Sequence, residues 1–327
     1  MKKIRFATIG SNFIVDRFVA AAELHGHLAY EAVYSRTFET GRKLADTYGV
    51  AKVYTTLLDV AKDPEIDFVY VASPNHVHAS QSILMMEYGK HVICEKPIAS
   101  HHGELVEMEA AARKNKVILM EAMKSVHCPG YAALRSQLPK LGKVRNVTLS
   151  FMHYTESYDA YLAGKIENIF NPELSNGALV DLGVYPIHML LSLFGMPLDI
   201  HANAIMLSTK TDASGTVACH YGDFLATLQY SKLATYEGNQ IAGEKATMIV
   251  DKISDIKHLT ICYPDGQKEE IPIEKKPVMY YEIAVFLDAI ARGEQDGLLD
   301  VSHKQMQFLD AARDQLGIVF PADATRV

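Results

Sequence analysis

A turn with the character of a phosphate-binding site follows the first apolar run. Gly10-Ser11-Asn12-Phe13-Ile14-Val15 comes after Ile4 to Ile9, and apolar residues then recur at helical spacing. A strand that enters a helix leaves backbone N–H groups able to bind a dinucleotide's pyrophosphate. The G-x-G-x-x-G fingerprint is incomplete, because Asn12 and Val15 replace its second and third glycines. The turn predicts either a dinucleotide site over Gly10 to Ile14, with Asn12 tolerating left-handed backbone, or a tight turn without ligand.

The end of the second predicted strand bears on the choice of dinucleotide. Ser35 and Arg36 stand about 25 residues beyond Gly10, where an acidic side chain would bind the ribose 2′-hydroxyl of NAD. A hydroxyl and a guanidinium suit a 2′-phosphate instead. The sequence therefore favours NADP over NAD. In the alternative interpretation the cofactor is NAD and Arg36 only stacks on adenine.

Three polar residues in an apolar segment could carry proton chemistry. If the segment from Asp181 to His188 is helical, Asp181, Tyr185 and His188 share one face. Their neighbours are apolar, so this face requires polar surroundings such as a substrate pocket. Pro186 disfavours an uninterrupted helix. An N-cap role for Asp181 and a core position for Tyr185 remain alternatives.

The first part of the chain alternates short apolar runs with helical stretches, which is the pattern of parallel βαβ units. The runs predicted as buried strands are Ile4 to Ile9, Tyr30 to Ser35, Phe68 to Ala72, His91 to Cys94 and Val117 to Glu121. This pattern predicts that residues 1–123 form an α/β dinucleotide-binding domain of the Rossmann type, with a doubly wound parallel sheet.

After about Lys124 the apolar residues repeat with a period of two. Val147, Leu149 and Phe151 alternate with polar neighbours, which predicts a half-buried antiparallel strand over Arg145 to His153. Further strands are predicted at Phe224 to Tyr230 and near Ile200 to Leu207, Ile241 to Val250 and His258 to Tyr263. We therefore predict that residues 124–279 form an α+β domain with an open, mainly antiparallel sheet. Two further helices are predicted at about Tyr280 to Arg292 and Ser302 to Leu316.

Composition narrows the classes of function. Lys plus Arg is 32 against 39 for Asp plus Glu, which gives a net charge of −7 and argues against nucleic-acid binding. The four cysteines are scattered, and no run resembles a membrane span, so we expect a cytoplasmic protein with free thiols. The tightest histidine pairs, His76-x-His78 and His101-His102, have no evident third ligand nearby, so we expect no catalytic metal.

Three segments together make a specific combination. Ala72-Ser73-Pro74-Asn75-His76-Val77-His78 and Cys94-Glu95-Lys96-Pro97 follow neighbouring predicted strands, and Gly177-Ala178-Leu179-Val180-Asp181-Leu182-Gly183-Val184-Tyr185-Pro186 lies in the second half. Over essentially the full chain this combination resembles the Gfo/Idh/MocA oxidoreductases. The third segment is similar to the branch of glucose-fructose oxidoreductase and dimeric dihydrodiol dehydrogenase, in which tyrosine stands where inositol dehydrogenases carry histidine.

The resemblance implies site residues. Lys96 and Tyr185 would be the catalytic pair, with Asp181 in a supporting or substrate-contacting role. Residues assigned to the cofactor loops are Ser73, Pro74, Asn75, His78, Glu95 and Lys96. Two alternatives remain: Glu95 only orients Lys96, and His76 and His78 cap the following helix.

The resemblance also implies an arrangement of the chain. The terminal helices within 280–327 would pack back on the first domain, leaving residues 124–279 to bind substrate. Related proteins associate through the second sheet, whose strands carry Thr148, Ser150, Thr227 and Gln229 on their polar faces. We therefore expect a homodimer or a higher homo-oligomer.

Oxidation of a carbinol releases a hydride from carbon and a proton from oxygen, so one ionisable group must reach that hydroxyl. Tyr185 can serve as this general acid/base, because a nearby ammonium such as Lys96 favours a phenolate. Alternatively, Lys96 acts on the substrate oxygen directly. We predict an NADP-preferring, or NAD-using, dehydrogenase or reductase for a small sugar, polyol or cyclic diol. The predicted substrate contacts are Lys96, Asp181, Tyr185, His188 and Tyr154.

Other functions remain open on the sequence alone. A cofactor-binding regulatory or sensor protein without turnover would explain the incomplete glycine fingerprint, although Lys96, Asp181 and Tyr185 argue against it. A methyltransferase that uses S-adenosylmethionine shares the opening turn but has no need of this pair. In the segment from Tyr154 to Phe170, the side chains of Tyr154, Tyr158, Tyr161 and Asn168 either line a sugar pocket or are surface or interface residues.

Overall fold

A computed structural model describes residues 3–236 and 238–326, and the chain divides into two compact units. Unit 1 comprises Met1–Met123, Pro277–Asp300 and Thr325–Val327. Unit 2 comprises Lys124–Lys276 and Val301–Ala324.

Unit 1 is a Rossmann-type α/β unit, as predicted. Its strands are β1 (Ile4–Ile9), β2 (Leu28–Tyr34), β3 (Lys52–Tyr54), β4 (Phe68–Val71), β5 (His91–Glu95) and β6 (Leu119–Ala122). They form a parallel sheet in the order β3-β2-β1-β4-β5-β6. Its helices are α1 (Phe13–Glu23), α2 (Phe38–Tyr48), α3 (Leu57–Lys62), α4 (His78–Glu87), α5 (His102–Asn115) and α9 (Met279–Arg292).

Apolar side chains on both faces of this sheet build the core. All four residues of β4 are buried, so this central strand reads as a continuous apolar run. Helix α1 buries the apolar residues of one face, and on that face the Phe18 ring stacks on Tyr70 of β4 with ring centroids 3.8 Å apart. Phe286 of α9 packs edge-on against Phe68 at 5.3 Å. These ring contacts hold α1 and α9 against the sheet.

Unit 2 is an α+β unit with a mixed, mostly antiparallel sheet. Its strands are β7 (Val144–Met152), β8 (Asp199–Met206), β9 (Asp212–His220), β10 (Leu225–Ser231), β11 (Asn239–Gly243), β12 (Thr247–Val250), β13 (His258–Cys262) and β14 (Lys268–Pro272). Their order is β14-β13-β12-β11-β7-β10-β9-β8. Its helices are α6 (Pro129–Gln137), α7 (Glu156–Leu162), α8 (Val184–Phe194) and α10 (Asp300–Leu316), and a π-helical turn, Leu179–Gly183, leads into α8.

The prediction for unit 2 needs three corrections of detail. The strand predicted as antiparallel over Arg145 to His153 is β7, which is antiparallel to β11 as predicted but pairs in parallel with β10, because a long connection allows the chain to cross over. The run from Ile241 to Val250 is two strands, β11 and β12, joined by a tight turn. Ser150 was expected on an accessible polar face but is buried, and its hydroxyl accepts the Gly238 N–H (2.8 Å).

The last helix also differs from the expectation. Both terminal helices were expected on the first domain, but α10 groups with unit 2. The Gln315 amide explains this: its nitrogen donates to the Ile200 carbonyl (2.9 Å) and its oxygen accepts the Ala202 N–H (2.8 Å). These bonds occupy backbone groups on the edge strand β8.

Helix α8 lies in the core of unit 2. Its residues from Val184 to Leu191 are all buried, and the longer stretch Pro172–Phe194 has the length and apolar character of a membrane-crossing helix. Of the most apolar window of that stretch, 78% is buried inside the fold, which is the behaviour of a core helix.

Candidate active site

The predicted cofactor residues of unit 1 lie at one edge of its sheet. Strands β2, β1, β4 and β5 are neighbours and run parallel, so their carboxyl ends meet at this edge. The loops that follow, and the first turn of α1, carry Gly10, Ser11, Asn12, Phe13, Ile14, Ser35, Arg36, Ser73, Pro74, Asn75 and Lys96. Glu95 ends β5 beneath them. This is the edge at which doubly wound sheets bind their ligands.

Gly10 and Asn12 explain how this turn works without the full fingerprint. Gly10 has φ +121°, and a Cβ there would lie 2.4 Å from the Ala72 carbonyl oxygen, so only glycine fits. Asn12 has φ −87°, and the expected left-handed backbone is therefore wrong. Its side-chain oxygen instead accepts the Ile14 N–H (2.9 Å), while its amide nitrogen donates to Ala72 O (2.8 Å). Asn12 thus caps α1 and ties it to β4.

Backbone donors remain at the start of α1. In this turn the structure gives no protein acceptor for the N–H groups of Ser11, Asn12 and Phe13, and all three residues are exposed. Val15 fills the position of the third glycine and is fully buried in the core. Successive free donors with the helix dipole behind them fit a dinucleotide's pyrophosphate.

Ser35 and Arg36 differ in accessibility. Ser35 is buried, and its N–H donates to the Tyr54 carbonyl (3.1 Å), whereas Arg36 is exposed. His76 lies close enough to Arg36 for the guanidinium charge to add to burial in lowering the pKa of the imidazole. An exposed guanidinium beside the sheet edge is able to bind phosphate oxygens.

His78 and Glu95 make hydrogen bonds that hold the loops after β4 and β5. His78 is buried, with Nδ1 at 2.9 Å from Pro97 O and Nε2 at 2.8 Å from Ser73 O. It therefore joins the two loops, and we expect it to act on a cofactor only through them. Glu95 accepts a hydrogen bond from the Tyr70 hydroxyl (2.5 Å) and another from the Lys96 N–H (3.2 Å). This supports the alternative in which Glu95 orients Lys96, whose side chain is partly exposed.

In unit 2, the π-helical turn carries Asp181 and leads to Tyr185. Pro186 cannot donate a hydrogen bond to the preceding turn, and the wider π turn accommodates its ring. Buried Asp212, at the start of β9, accepts the Leu179 N–H (2.7 Å) and so anchors the turn to the sheet. A Cβ at Gly177 would lie 2.5 Å from an Asp212 oxygen, which explains that glycine.

Asp181 is not an N-cap but forms an ion pair with Lys232, which directly follows β10. One helical turn beyond Asp181, the Tyr185 ring meets Phe151 of β7 edge-on at 5.0 Å. The Lys124 ammonium lies 5.7 Å from the centre of the Tyr185 ring. The turn therefore groups a phenol, a carboxylate and two ammonium groups within unit 2.

His188 and Tyr154, the other predicted substrate contacts, have different surroundings. His188 Nδ1 donates to the Gln305 side-chain oxygen (2.7 Å), and burial lowers the pKa of its imidazole to about 4. His188 is thus a neutral, buried group. Tyr154 is exposed, donates to Asp159 (2.6 Å), and lies beside Tyr158, whose ring stacks on Tyr161.

Sequence reasoning missed Lys232, Asp212 and Lys124. Lys232 and Asp212 border strands whose pairing brings them to the turn, so no local spacing could link them to Asp181. A charged residue directly after an alternating apolar strand is a weak signal on its own. Among residues 3–236 and 238–326, no group of three or more His, Cys, Asp or Glu side chains is arranged to hold a metal ion.

Comparison with protein-family models covers most of the chain. Residues 4–123 match the model described as "Oxidoreductase family, NAD-binding Rossmann fold", and residues 137–249 match the GFO/IDH/MocA C-terminal domain. The chain belongs to the Gfo/Idh/MocA family. The resemblance stated from three sequence segments is therefore confirmed.

This Gfo/Idh/MocA protein is similar to several named relatives. It is 42% identical to scyllo-inositol 2-dehydrogenase (NADP(+)) IolU of Bacillus subtilis, over 98% of this chain and 99% of that protein. It is 28% identical to trans-1,2-dihydrobenzene-1,2-diol dehydrogenase of Xenopus tropicalis, over 96% of each chain. Its fold matches that of KijD10, a 3-ketoreductase from Actinomadura kijaniata solved with NADP and TDP-benzene. The TM-score is 0.87 at 21% identity, over 96% of this chain and 98% of that one.

Burial at the anchor of the π turn predicts a pH-dependent stability. Burial raises the pKa of Asp212 from 3.8 to about 6, with Lys232 and the Leu179 N–H opposing the shift. Because the pKa of Asp212 is higher in the folded protein than in the unfolded chain, this carboxyl group stabilises the fold at pH values below its unfolded pKa. That contribution to the unfolding free energy is lost as pH rises through about 6. Relative to Asp212→Asn, the wild type should lose about 2 kcal/mol of unfolding free energy between pH 4 and pH 7.

Chemical unfolding of both proteins across this pH range measures the effect. The asparagine oxygen is able to accept the same Leu179 N–H, so the difference between the two proteins reports the ionisation of Asp212. A difference in unfolding free energy that stays constant with pH would contradict the assignment.

Proposed function

We propose that this protein is an NADP-preferring oxidoreductase that transfers a hydride between the nicotinamide and a CH–OH carbon of a polyol, sugar or cyclic diol. The observation that carries the proposal is the turn in unit 2, which holds Tyr185 one helical turn from an ion-paired carboxylate. The other unit supplies a dinucleotide edge with free backbone donors. Family membership and the named activities of the relatives support the same reaction class.

The residues divide the chemistry between them. When bound, the nicotinamide supplies the hydride acceptor or donor. The Tyr185 hydroxyl accepts or returns the proton of the reacting hydroxyl group, and Lys96 provides positive charge that favours the ionised phenol or binds the reacting oxygen. Asp181 accepts hydrogen bonds from substrate hydroxyls. His188 and Tyr154 complete the proposed substrate contacts, with His188 neutral because of its burial.

Cofactor choice rests on the loop after β2. Ser11 to Phe13 bind the pyrophosphate, Pro74 and Asn75 bind the nicotinamide side, and Arg36 binds a 2′-phosphate. The relative from Bacillus subtilis, 42% identical, is named as NADP(+)-dependent. An exposed guanidinium where NAD enzymes carry an acid supports the same cofactor for this chain.

Titration calorimetry with NADPH and NADH tests this choice. The wild type should prefer NADPH at least about tenfold, and Arg36→Ala should remove most of that preference because a charge-assisted bond to phosphate is lost. Arg292→Ala, at the exposed end of α9, is the matched control and should change nothing. Equal binding of both nucleotides by the wild type would refute the preference, and binding of neither would favour a non-catalytic protein.

The role of Tyr185 predicts a selective loss. Tyr185→Phe should lower kcat by about 100-fold or more, because general acid–base catalysis is removed, while NADPH affinity stays within about twofold. Tyr221→Phe, which loses a hydroxyl bond to Gly195 O (2.7 Å) in the same unit, should leave kcat unchanged. Stopped-flow measurement of NADPH formation separates chemistry from binding. Full activity of Tyr185→Phe would refute the assignment.

We further propose that the chain acts as a homodimer or higher oligomer in the cytoplasm. Partly exposed Thr148, Thr227 and Gln229 on the unit 2 sheet support a subunit contact, and four free thiols suit a reducing compartment. Sedimentation equilibrium at micromolar concentration should give at least twice the 36.3 kDa mass of one chain. A mass equal to one chain would exclude the dimer.

A further inference from the structure

Lys232 places a buried ammonium group beside Asp181. Lys232 is only 3% exposed, whereas the Asp181 side chain, its ion-pair partner, is 30% exposed. The lysine therefore approaches from inside the fold, and the carboxylate lies at the boundary with open space. No motif in the sequence marks this lysine.

The backbone of Lys232 is fixed from two sides. Its N–H donates to the Ala213 carbonyl (2.8 Å), next to Asp212, and its carbonyl accepts the Thr155 N–H (3.2 Å). Because β9 and the segment after β7 hold its backbone, and its side chain is buried, the ammonium has little freedom to follow a moving partner. The rigid member of the pair is the lysine, and the carboxylate is the group being held.

Stability alone does not account for such a pair. Desolvating an ammonium is costly, and well-packed apolar residues often replace a buried ion pair without loss of stability. The π turn already has an anchor in the bond from Leu179 N–H to Asp212. The ion pair with Lys232 is a second anchor, and it is made by Asp181, which contacts substrate in the proposed function.

We propose that Lys232 is a positioning residue for the reaction, holding the Asp181 carboxylate in a fixed orientation on the turn that precedes Tyr185. This inference rests on the proposed function. A carboxylate with one oxygen held by Lys232 presents its remaining lone pairs in a set direction, so a substrate hydroxyl is bound at a fixed distance from the phenol. A small misplacement at such a site is enough to lower the rate strongly.

The test compares Lys232→Met with a matched buried pair in the same unit. Lys275 is 7% exposed at its side chain and pairs with Asp255, which is 29% exposed, so Lys275→Met removes a comparable ammonium away from the π turn. Lys232→Met should lower kcat/KM for polyol oxidation about 10- to 100-fold, and Lys275→Met should stay within about twofold. Unfolding midpoints and NADPH affinities of both variants show whether the fold and the cofactor edge are intact.

A double-substitution cycle shows whether Lys232 acts through Asp181. In the Asp181→Asn background, Lys232→Met should change kcat/KM by less than about twofold, because no carboxylate remains to be held. Lys232→Arg keeps the charge and should recover part of the activity, which also covers the case in which Lys232→Met does not fold. A purely structural lysine would show losses that follow the unfolding midpoint and no recovery beyond it.

The outcomes separate this inference from the proposed function. An active wild type with an unimpaired Lys232→Met, or losses that multiply in the double variant, would overturn the positioning role alone. A wild type that binds NADPH but oxidises no polyol, sugar or diol would overturn the proposed function and this inference with it.

Discussion

Two charged groups at the ends of strands hold the turn on which the proposed chemistry depends. Asp212 accepts the first backbone N–H of the π turn, and Lys232 pairs with Asp181 inside it. Without these anchors, the buried start of α8 would be placed mainly by apolar packing, together with the polar contact of His188 with Gln305. Polar anchors are directional, so they fix where Asp181 and Tyr185 lie relative to the sheet.

The dinucleotide edge uses the same principle in a different form. Asn12 caps α1 with its side-chain oxygen and reaches β4 with its nitrogen, so one amide defines the start of the helix. His78 joins the loops after β4 and β5 in a similar way. Side-chain bonds to backbone thus set the loops, and the remaining N–H groups are left to a ligand.

Much of this architecture was predictable because the two kinds of strand have different sequence patterns. Parallel strands buried on both faces are continuous apolar runs, whereas half-buried strands alternate apolar and polar residues. The predicted strand Ile4 to Ile9 has the same bounds as β1, whereas β9 was missed because its Gly215 and small residues give a weak strand signal. Only glycine fits at position 215, because a Cβ there would lie 2.2 Å from the Tyr230 hydroxyl oxygen. Asp181 and Tyr185 were found from a motif, but Lys232 reaches them only through strand pairing.

In the proposed reaction, a hydride moves between a carbinol carbon and the nicotinamide. The most direct measurement supplies a cyclic polyol deuterated at its carbinol carbons, together with NADP⁺, and follows deuterium in the product nucleotide by mass spectrometry. We expect NADPH that carries one deuterium from the substrate. Tight NADP⁺ binding with no labelled NADPH from any polyol, sugar or diol tried would contradict it.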